Sequence, residues 1–572
     1  MMIRNQRQFI HEFNSKNKQK FNSKLFVRSD EEIIKYLKNI ILSCERQMGV
    51  NGYFTIKIDK FEVIEDYADI MERLQKYQEA AISKNPKLKA IADNRYDYID
   101  LKDTALKLLK VTYYIEAQDG REWFDVLIAI PRVIDKFYYK INGNIRSAMF
   151  QIVDASTYNN GTSNAKKPMI VSKTTFQPIR IYRNSVVQTD IHGEDVNLFT
   201  YDASIFKKSV ELSKYIFAKM GLIRGLQFLG MDGIIQITDC DINRDDYYTF
   251  LPKKTSNIYI NVPKYMIQNN MAVQHVTNTL CNEFTRKLAV LPYIFSREYW
   301  LDALGRHFNQ NTPKEKGESV LSSLEFIYDK TTKEVLRLPD NEKEDIYQVL
   351  RWLLFEFNSL CLKNNLDTTI KRIRCEEYIA ALYAPKISRA IYTLSDMGDK
   401  VDLKSIKKKL NTDPLYLIQC ITKCSLINFR DMMTDCDSYL ALKYTYKGVS
   451  GIGEKGSNAI PDIYKYVHVT NLGIVDLDSS SPSDPGVSGC TVPLVQLYDN
   501  NYFTDFREPC TWRNILYDQT EQLKKIIKKK EVVDFNFRIL DDSNVPELAL
   551  KNIEATREQL EKLNKMMQMG QE

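Results

Sequence analysis

The stretch Gly451-x-Gly453-x-x-Gly456 has the spacing of a dinucleotide-binding fingerprint, and Asp476 follows where a ribose-binding acid is sought. That spacing works only where a strand precedes the glycines and a helix opens at the third. The helix N-terminus supplies the free N–H groups that hold a pyrophosphate. Here the third glycine leads into Ser457, Asn458, Ala459, Ile460 and Pro461. A proline at this point removes a backbone donor and clashes with the preceding turn. Beyond it, Ile463–Val469 alternates β-branched and aromatic residues, which predicts a strand. The glycines therefore read as a loop, and a doubly wound nucleotide-binding fold is not expected. Lys443, Lys447 and Lys455 accompany the loop. Flexible glycines among lysines suit close approach of a polyanion, although an ordinary solvated turn has the same composition.

The 572 residues are enough for about three or four domains. With 44% apolar and 27% charged residues, the chain has the make-up of cored, globular protein. A net charge of +6 is compatible with nucleic acid without requiring it. The basic start, MMIRNQRQFIHEF, lacks the apolar core of a secretory signal, and no apolar run approaches a membrane span. Ten cysteines are scattered without a paired C-x-x-C. Cys420 and Cys424 would share a helical face near Cys436 and His468, so a zinc site and a set of reduced, buried thiols both stay open. A cytoplasmic location is expected.

Periodicity predicts a mixed α+β, multidomain chain. Strands are expected over Lys110–Glu116 and Trp123–Ile130. A hairpin is expected around Asn142-Gly143, a pair that favours the tightest turns. The polar run TYNNGTSNAKK, roughly 155 to 167, predicts a domain boundary. Further on, a strand is expected at Ile179–Tyr182, and helices over Ser204–Ile216, Glu344–Leu362 and roughly 375 to 395. Residues 402 to 530 read as loop-rich. Pro546–Met569 predicts an amphipathic helix that packs on a partner or on its own chain, after the basic run KKIIKKK.

Nothing in the sequence has the pattern of a reaction centre. Asp241, Asn243 and Asp245 begin like a calcium loop, but Asp246 and Pro252 stand where a glycine and a bidentate acid are required. The pairs Asp435/Asp437 and Asp476/Asp478 are not the compact acidic cluster of a two-magnesium centre. No catalytic residue and no metal ligand is assigned.

Three stretches, in order, resemble the N-terminal half of the β subunit of multisubunit DNA-dependent RNA polymerases. Asp125–Pro131 leading to Phe137–Arg146 is similar to a strand ending in proline and the F-I-I-N-G-x-E-R hairpin of the protrusion. Asp367–Ile379 followed by Ala384–Arg389 is similar to the family's L-x-N-R-R-I-R-x-x-G-E-L run and the helix after it. Asn428–Asp431, the glycine loop, Val467-His468 and Ser481–Gly489 resemble the fork region, with its Q-F-M-D, glycine loop, D-V-H and E-T-P-E-G-P-N-I-G. The glutamate before Thr-Pro is shifted or lost, Gly486 stands for the asparagine, and the histidine and paired arginines of the rifamycin pocket are not evident.

The resemblance implies protrusion, lobe and fork domains without the catalytic double-ψ barrel, in a β subunit divided as in giant (jumbo) tailed phages. Residues 1–165 and 363–405 would form the protrusion, 166–362 the lobe and 406–530 the fork, with 531–572 packing on a partner. Lys443, Lys447, Gly451, Gly453, Lys455, Arg372 and Arg374 would meet DNA or RNA. Phe429, Arg430, Asp431, Pro482 and Pro485 would line the fork and rifamycin-pocket-like region. No cofactor is implied in this chain, since the magnesium would sit in a β′-like partner. The implied partners are the C-terminal part of β, β′-like subunits, a promoter-specificity subunit, template DNA and nascent RNA, with no membrane. The chain would act in the cytoplasm of an infected bacterium. A phage structural or packaging protein is the alternative of another class, and a dinucleotide oxidoreductase comes third.

Overall fold

The Asn142-Gly143 turn closes a hairpin between Tyr138–Ile141 and Asn144–Ala148, and both turn residues take positive φ, 52° and 75°. Asn142 tolerates this conformation because its amide oxygen is used: it accepts the Asp100 N–H at 2.9 Å. Around that hairpin the computed structural model describes residues 28–47, 53–84, 99–134, 138–159, 168–206, 208–242, 245–252, 258–286, 290–362, 366–429, 443–448, 465, 467–471, 474–476, 480, 487–491 and 501–503.

The first unit is an antiparallel meander of Arg46–Gln47, Phe54–Ile64, Leu106–Ala117 and Gly120–Pro131. Both strands expected from the sequence lie in its long hairpin. Their inward positions, Leu109, Val111, Tyr113 and Ile115 on one strand and Val126, Ile128 and Ile130 on the other, are buried. Helix Asp30–Leu42 covers the unit with Ile33, Leu37, Ile40 and Ile41, each of which stabilises by roughly 1.5–3 kcal/mol when fully withdrawn from water. The chain returns to this unit much later. Helices Leu403–Leu410 and Tyr416–Lys423 pack on strand Gly120–Pro131, and helix Glu376–Ala381 packs on Asp30–Leu42.

The second unit pairs a five-stranded antiparallel sheet with helices. Its strands, in spatial order, are Lys208–Glu211, Asp195–Ile205, Ile179–Thr189, Met169–Ser172 and Thr157–Asn159. Helix Met271–Arg286 lies across the Asp195–Ile205 strand, and a three-stranded sheet of Gln236–Thr238, Tyr259–Pro263 and Tyr247–Phe250 adjoins it. Together the units make a mixed α and β, multidomain chain, with no closed barrel among the described residues.

Three expectations need correction here. Ser204–Ile216 is not one helix. Phe206 takes φ 55° and turns the strand back, so Ser204 pairs with Ser209, and the helix begins only at Leu212. Pairing with an existing sheet outweighs the apolar spacing. Glu344–Leu362 is two helices, Ile346–Phe355 and Phe357–Leu362; Asp345 and Gln348 cap the first reciprocally. The strand expected over Ile463–Val469 does not form at its described residues: Lys465, Val467 and His468 lie in no strand, and Val469 opens a single 3-10 turn. The boundary run is described only in part, and the C-terminal helix and basic run not at all.

Candidate nucleic-acid interface

Two small sheets collect segments from across the chain. In one, Phe150–Val153 runs antiparallel to Arg372–Arg374 and parallel to Lys443–Thr445, which continues to Ser488–Thr491 and Val475–Asp476. In the other, Ile427–Phe429 joins the Asn142-Gly143 hairpin by pairing with Asn144–Ala148. Phe150, Ile152, Ile373 and Tyr444 fill the inner face and hold the strands together. Only the residue Met149 separates Asn144–Ala148 from Phe150–Val153, so the two sheets are built on consecutive strands.

Polar side chains then tie the segments. Gln151 is fully buried at the centre of the apolar run Phe150–Val153. Its Oε1 accepts from Arg374 Nε at 2.7 Å, and its Nε2 donates to the Lys447 carbonyl at 3.0 Å. A buried amide needs partners on both ends, and here the partners come from two different strands. Arg372 is engaged otherwise. It is 6% exposed and forks onto Glu377, Nη1 to Oε2 at 2.6 Å and Nη2 to Oε1 at 2.5 Å. Burial pushes the Glu377 carboxyl up, but the Arg372 charge and hydrogen bonds outweigh it and hold the group below its ordinary value.

Cations outnumber acids around this junction. Lys371 is buried, with Nζ 3.9 Å from Asp154 Oδ1 and 4.7 Å from the Tyr446 ring centroid. Lys173 is pushed down to about 8, first by burial and then by repulsion from Arg374, Arg372 and Lys371, against the attraction of Asp154. Lys173, Lys371, Arg372, Arg374 and Lys447 thus share one neighbourhood with Asp154 and Glu377. Such a surplus favours an approaching polyanion.

Of the expected contact residues, Lys443 opens the strand Lys443–Thr445 and Lys447 lies two residues beyond its end, both partly exposed. The following Gly448 takes φ 101°, and a Cβ there would meet Leu426 Cδ2 at 2.6 Å. The chain thus leaves the sheet on a glycine-only path. Gly451, Gly453, Lys455, Arg430, Asp431, Pro482 and Pro485 lie outside the described residues. Phe429 is 61% exposed, with the Arg146 guanidinium 4.0 Å from its ring centroid. Sequence reasoning did not single out Gln151, Lys371, Lys173 or Arg146. Gln151 carried one signal, a polar residue inside an apolar strand.

The described residues contain no group of three His, Cys, Asp or Glu side chains placed for a metal. Cys420 and Cys424 are free thiols whose pKa burial raises, Cys436 lies outside the described residues, and His468 Nδ1 meets Thr470 Oγ1 at 2.8 Å. No helix among the described residues is long and apolar enough to cross a membrane.

No curated protein matches the sequence. The model of one family does, described as the non-virion RNA polymerase subunit, and the match runs over residues 3–510 of the 572. A match over most of the length, across both units and the basic junction, means that the chain belongs to the family of non-virion RNA polymerase subunits.

Proposed function

We propose that the chain is the N-terminal part of a divided β subunit in the RNA polymerase of a giant phage, working in the infected cell. Residues 1–165 and 363–405 form the protrusion, 166–362 the lobe and 406–530 the fork, and 531–572 packs on another subunit. In this role the chain walls one side of the DNA cleft and supports the fork at the downstream edge of the transcription bubble. Lys443, Lys447, Lys455 and Arg374 face the nucleic acid, with Gly451 and Gly453 letting the backbone approach. Arg372 braces the junction through Glu377. The magnesium belongs to a β′-like partner. The C-terminal part of β and a promoter-specificity subunit complete the assembly.

One observation carries this reading. The three stretches that resemble β lie far apart in sequence, yet they interlock through neighbouring strands: Asn144–Ala148 with Ile427–Phe429, and Phe150–Val153 with Arg372–Arg374 and Lys443–Thr445. Unrelated likenesses would have no reason to pack on one another. Family membership in an RNA polymerase favours this over the packaging and oxidoreductase alternatives.

The test is reconstitution. The chain should co-purify with the other polymerase subunits at fixed stoichiometry, RNA synthesis should require it, and the chain alone should make no RNA. A fully active polymerase assembled without it would refute the role.

A further inference from the structure

Arg146 is held in a way that the described residues do not explain. It is 8% exposed, and among the described residues its guanidinium has neither a hydrogen bond nor a carboxylate partner. Its Nε is fully buried and unsatisfied. Desolvation lowers its pKa with no acid to oppose the shift. A buried guanidinium without an anion is costly, so a fold that keeps one has a use for it. Strand pairing sets Arg146 between Tyr139 and Phe429, all three on one face of the sheet. The guanidinium lies over the Phe429 ring, which is nonetheless 61% exposed.

We propose that Arg146 and Phe429 form a subsite for one nucleotide of an unpaired nucleic-acid strand, the guanidinium taking the phosphodiester and the ring stacking on the base. The two groups suit the two halves of a nucleotide: a planar cation for the phosphate, and an open aromatic face that accepts any base not engaged in pairing. Arg146 also supports the stack, since a cation on one face of the ring fixes its orientation. The inference rests on the polymerase reading only in that a strand must reach this sheet.

Transcription complexes of the whole assembled polymerase, carrying photoactivatable thio-bases in the RNA or in either DNA strand, test it. Crosslinks from an unpaired base should map to 144–148 and 427–429, and the labelled strand that gives them tells RNA from DNA. Phe429→Leu should weaken that crosslink about 5-fold or more. Arg146→Gln should lower the log–log salt slope by about 0.7, the value for one phosphate of a single strand, and Arg146→Lys should restore it. If Arg146→Gln fails to assemble, Phe429→Leu and Arg146→Lys still decide the matter. Crosslinks at 443–448 with none at Arg146 or Phe429 would overturn the subsite and leave the polymerase reading standing. An active complex with no crosslink anywhere on the chain would overturn both.

Discussion

Arg374 Nε donates to Gln151 Oε1 across 2.7 Å, although 223 positions separate the two residues in sequence. The same Gln151 donates to the Lys447 carbonyl. One fully buried amide therefore fixes a cationic side chain on one strand and the exit of another. Gln151→Leu keeps the approximate volume and removes both bonds, leaving Arg374 and the Lys447 carbonyl without these partners. Unfolding should become easier by about 1–3 kcal/mol, since two buried hydrogen bonds are lost and no water replaces them. Chemical denaturation of the subunit measures it. Gln151→Glu should cost less, because the carboxylate still accepts from Arg374. Equal effects of Leu and Glu would show that the bond to Arg374 contributes nothing.

A second prediction concerns the buried pair of Arg372 and Glu377. Removing one partner strands the other charge in the interior, so Arg372→Met or Glu377→Leu should destabilise by about 3–5 kcal/mol. Replacing both with Met and Leu should recover most of that loss, because the desolvation of both ions is then avoided. The two single variants and the double variant form a cycle that thermal melting can close. A double variant as unstable as the sum of the singles would mean that the two side chains act independently.

The hairpin at Asn142-Gly143 and the strands of the first unit were legible because their signals are local: a turn pair and alternating burial. The junction was not. Arg146 looks like any strand arginine until Ile427–Phe429 pairs beside it, and Gln151 gains its meaning from Arg374 and Lys447, both distant in sequence. Ser204–Ile216 misled for the same reason, since the pairing of Ser204 with Ser209 competes with helical spacing. Arg372 was expected to meet nucleic acid, and only the fold reveals that Glu377 occupies both arms of its fork.

Acid should loosen the second unit first. His275 is fully buried, with Nδ1 3.0 Å from the Tyr201 N–H, and desolvation pushes it down to about 3. His307 lies 3.2 Å from Lys214 Nζ, and burial together with Lys214 pushes it down to about 4. Both rings are neutral in the fold, whereas the unfolded chain takes up protons near pH 6.5. The unfolded state therefore binds more protons below that pH, and stability falls as pH drops from about 6.5 towards 4. Glu211 and Glu283, held low by Lys214 against their burial, add to the loss at the acid end. Each fully responding histidine contributes a slope of about 1.4 kcal/mol per pH unit. Hydrogen exchange should show 271–286 and 212–220 opening before the strands of 106–131. His275→Gln, which keeps an acceptor and cannot protonate, should flatten that dependence. A flat profile between pH 7 and 5 in the unaltered chain would contradict it.

The lysines beside Gly448 offer the last prediction. If Lys443, Lys447 and Lys455 each meet a phosphate, replacing them with alanine in the assembled polymerase should reduce the log–log salt slope of template binding. The expected reduction is about 0.9 per lysine on duplex and about 0.7 on a single strand. Folding should be little affected, because Lys443 and Lys447 are partly exposed and the bond from Gln151 reaches the Lys447 backbone rather than its side chain. Gly448→Ala provides the contrasting case. Its φ of 101° and the approach of Leu426 penalise any side chain, so the strand exit should distort and binding should suffer even with every lysine present. Adding Leu426→Ala removes the clash but not the backbone strain, so rescue should be partial. Should the triple lysine variant bind template with an unchanged slope, these side chains do not face the nucleic acid, and the contact surface must be sought around Arg374 and Lys371 instead.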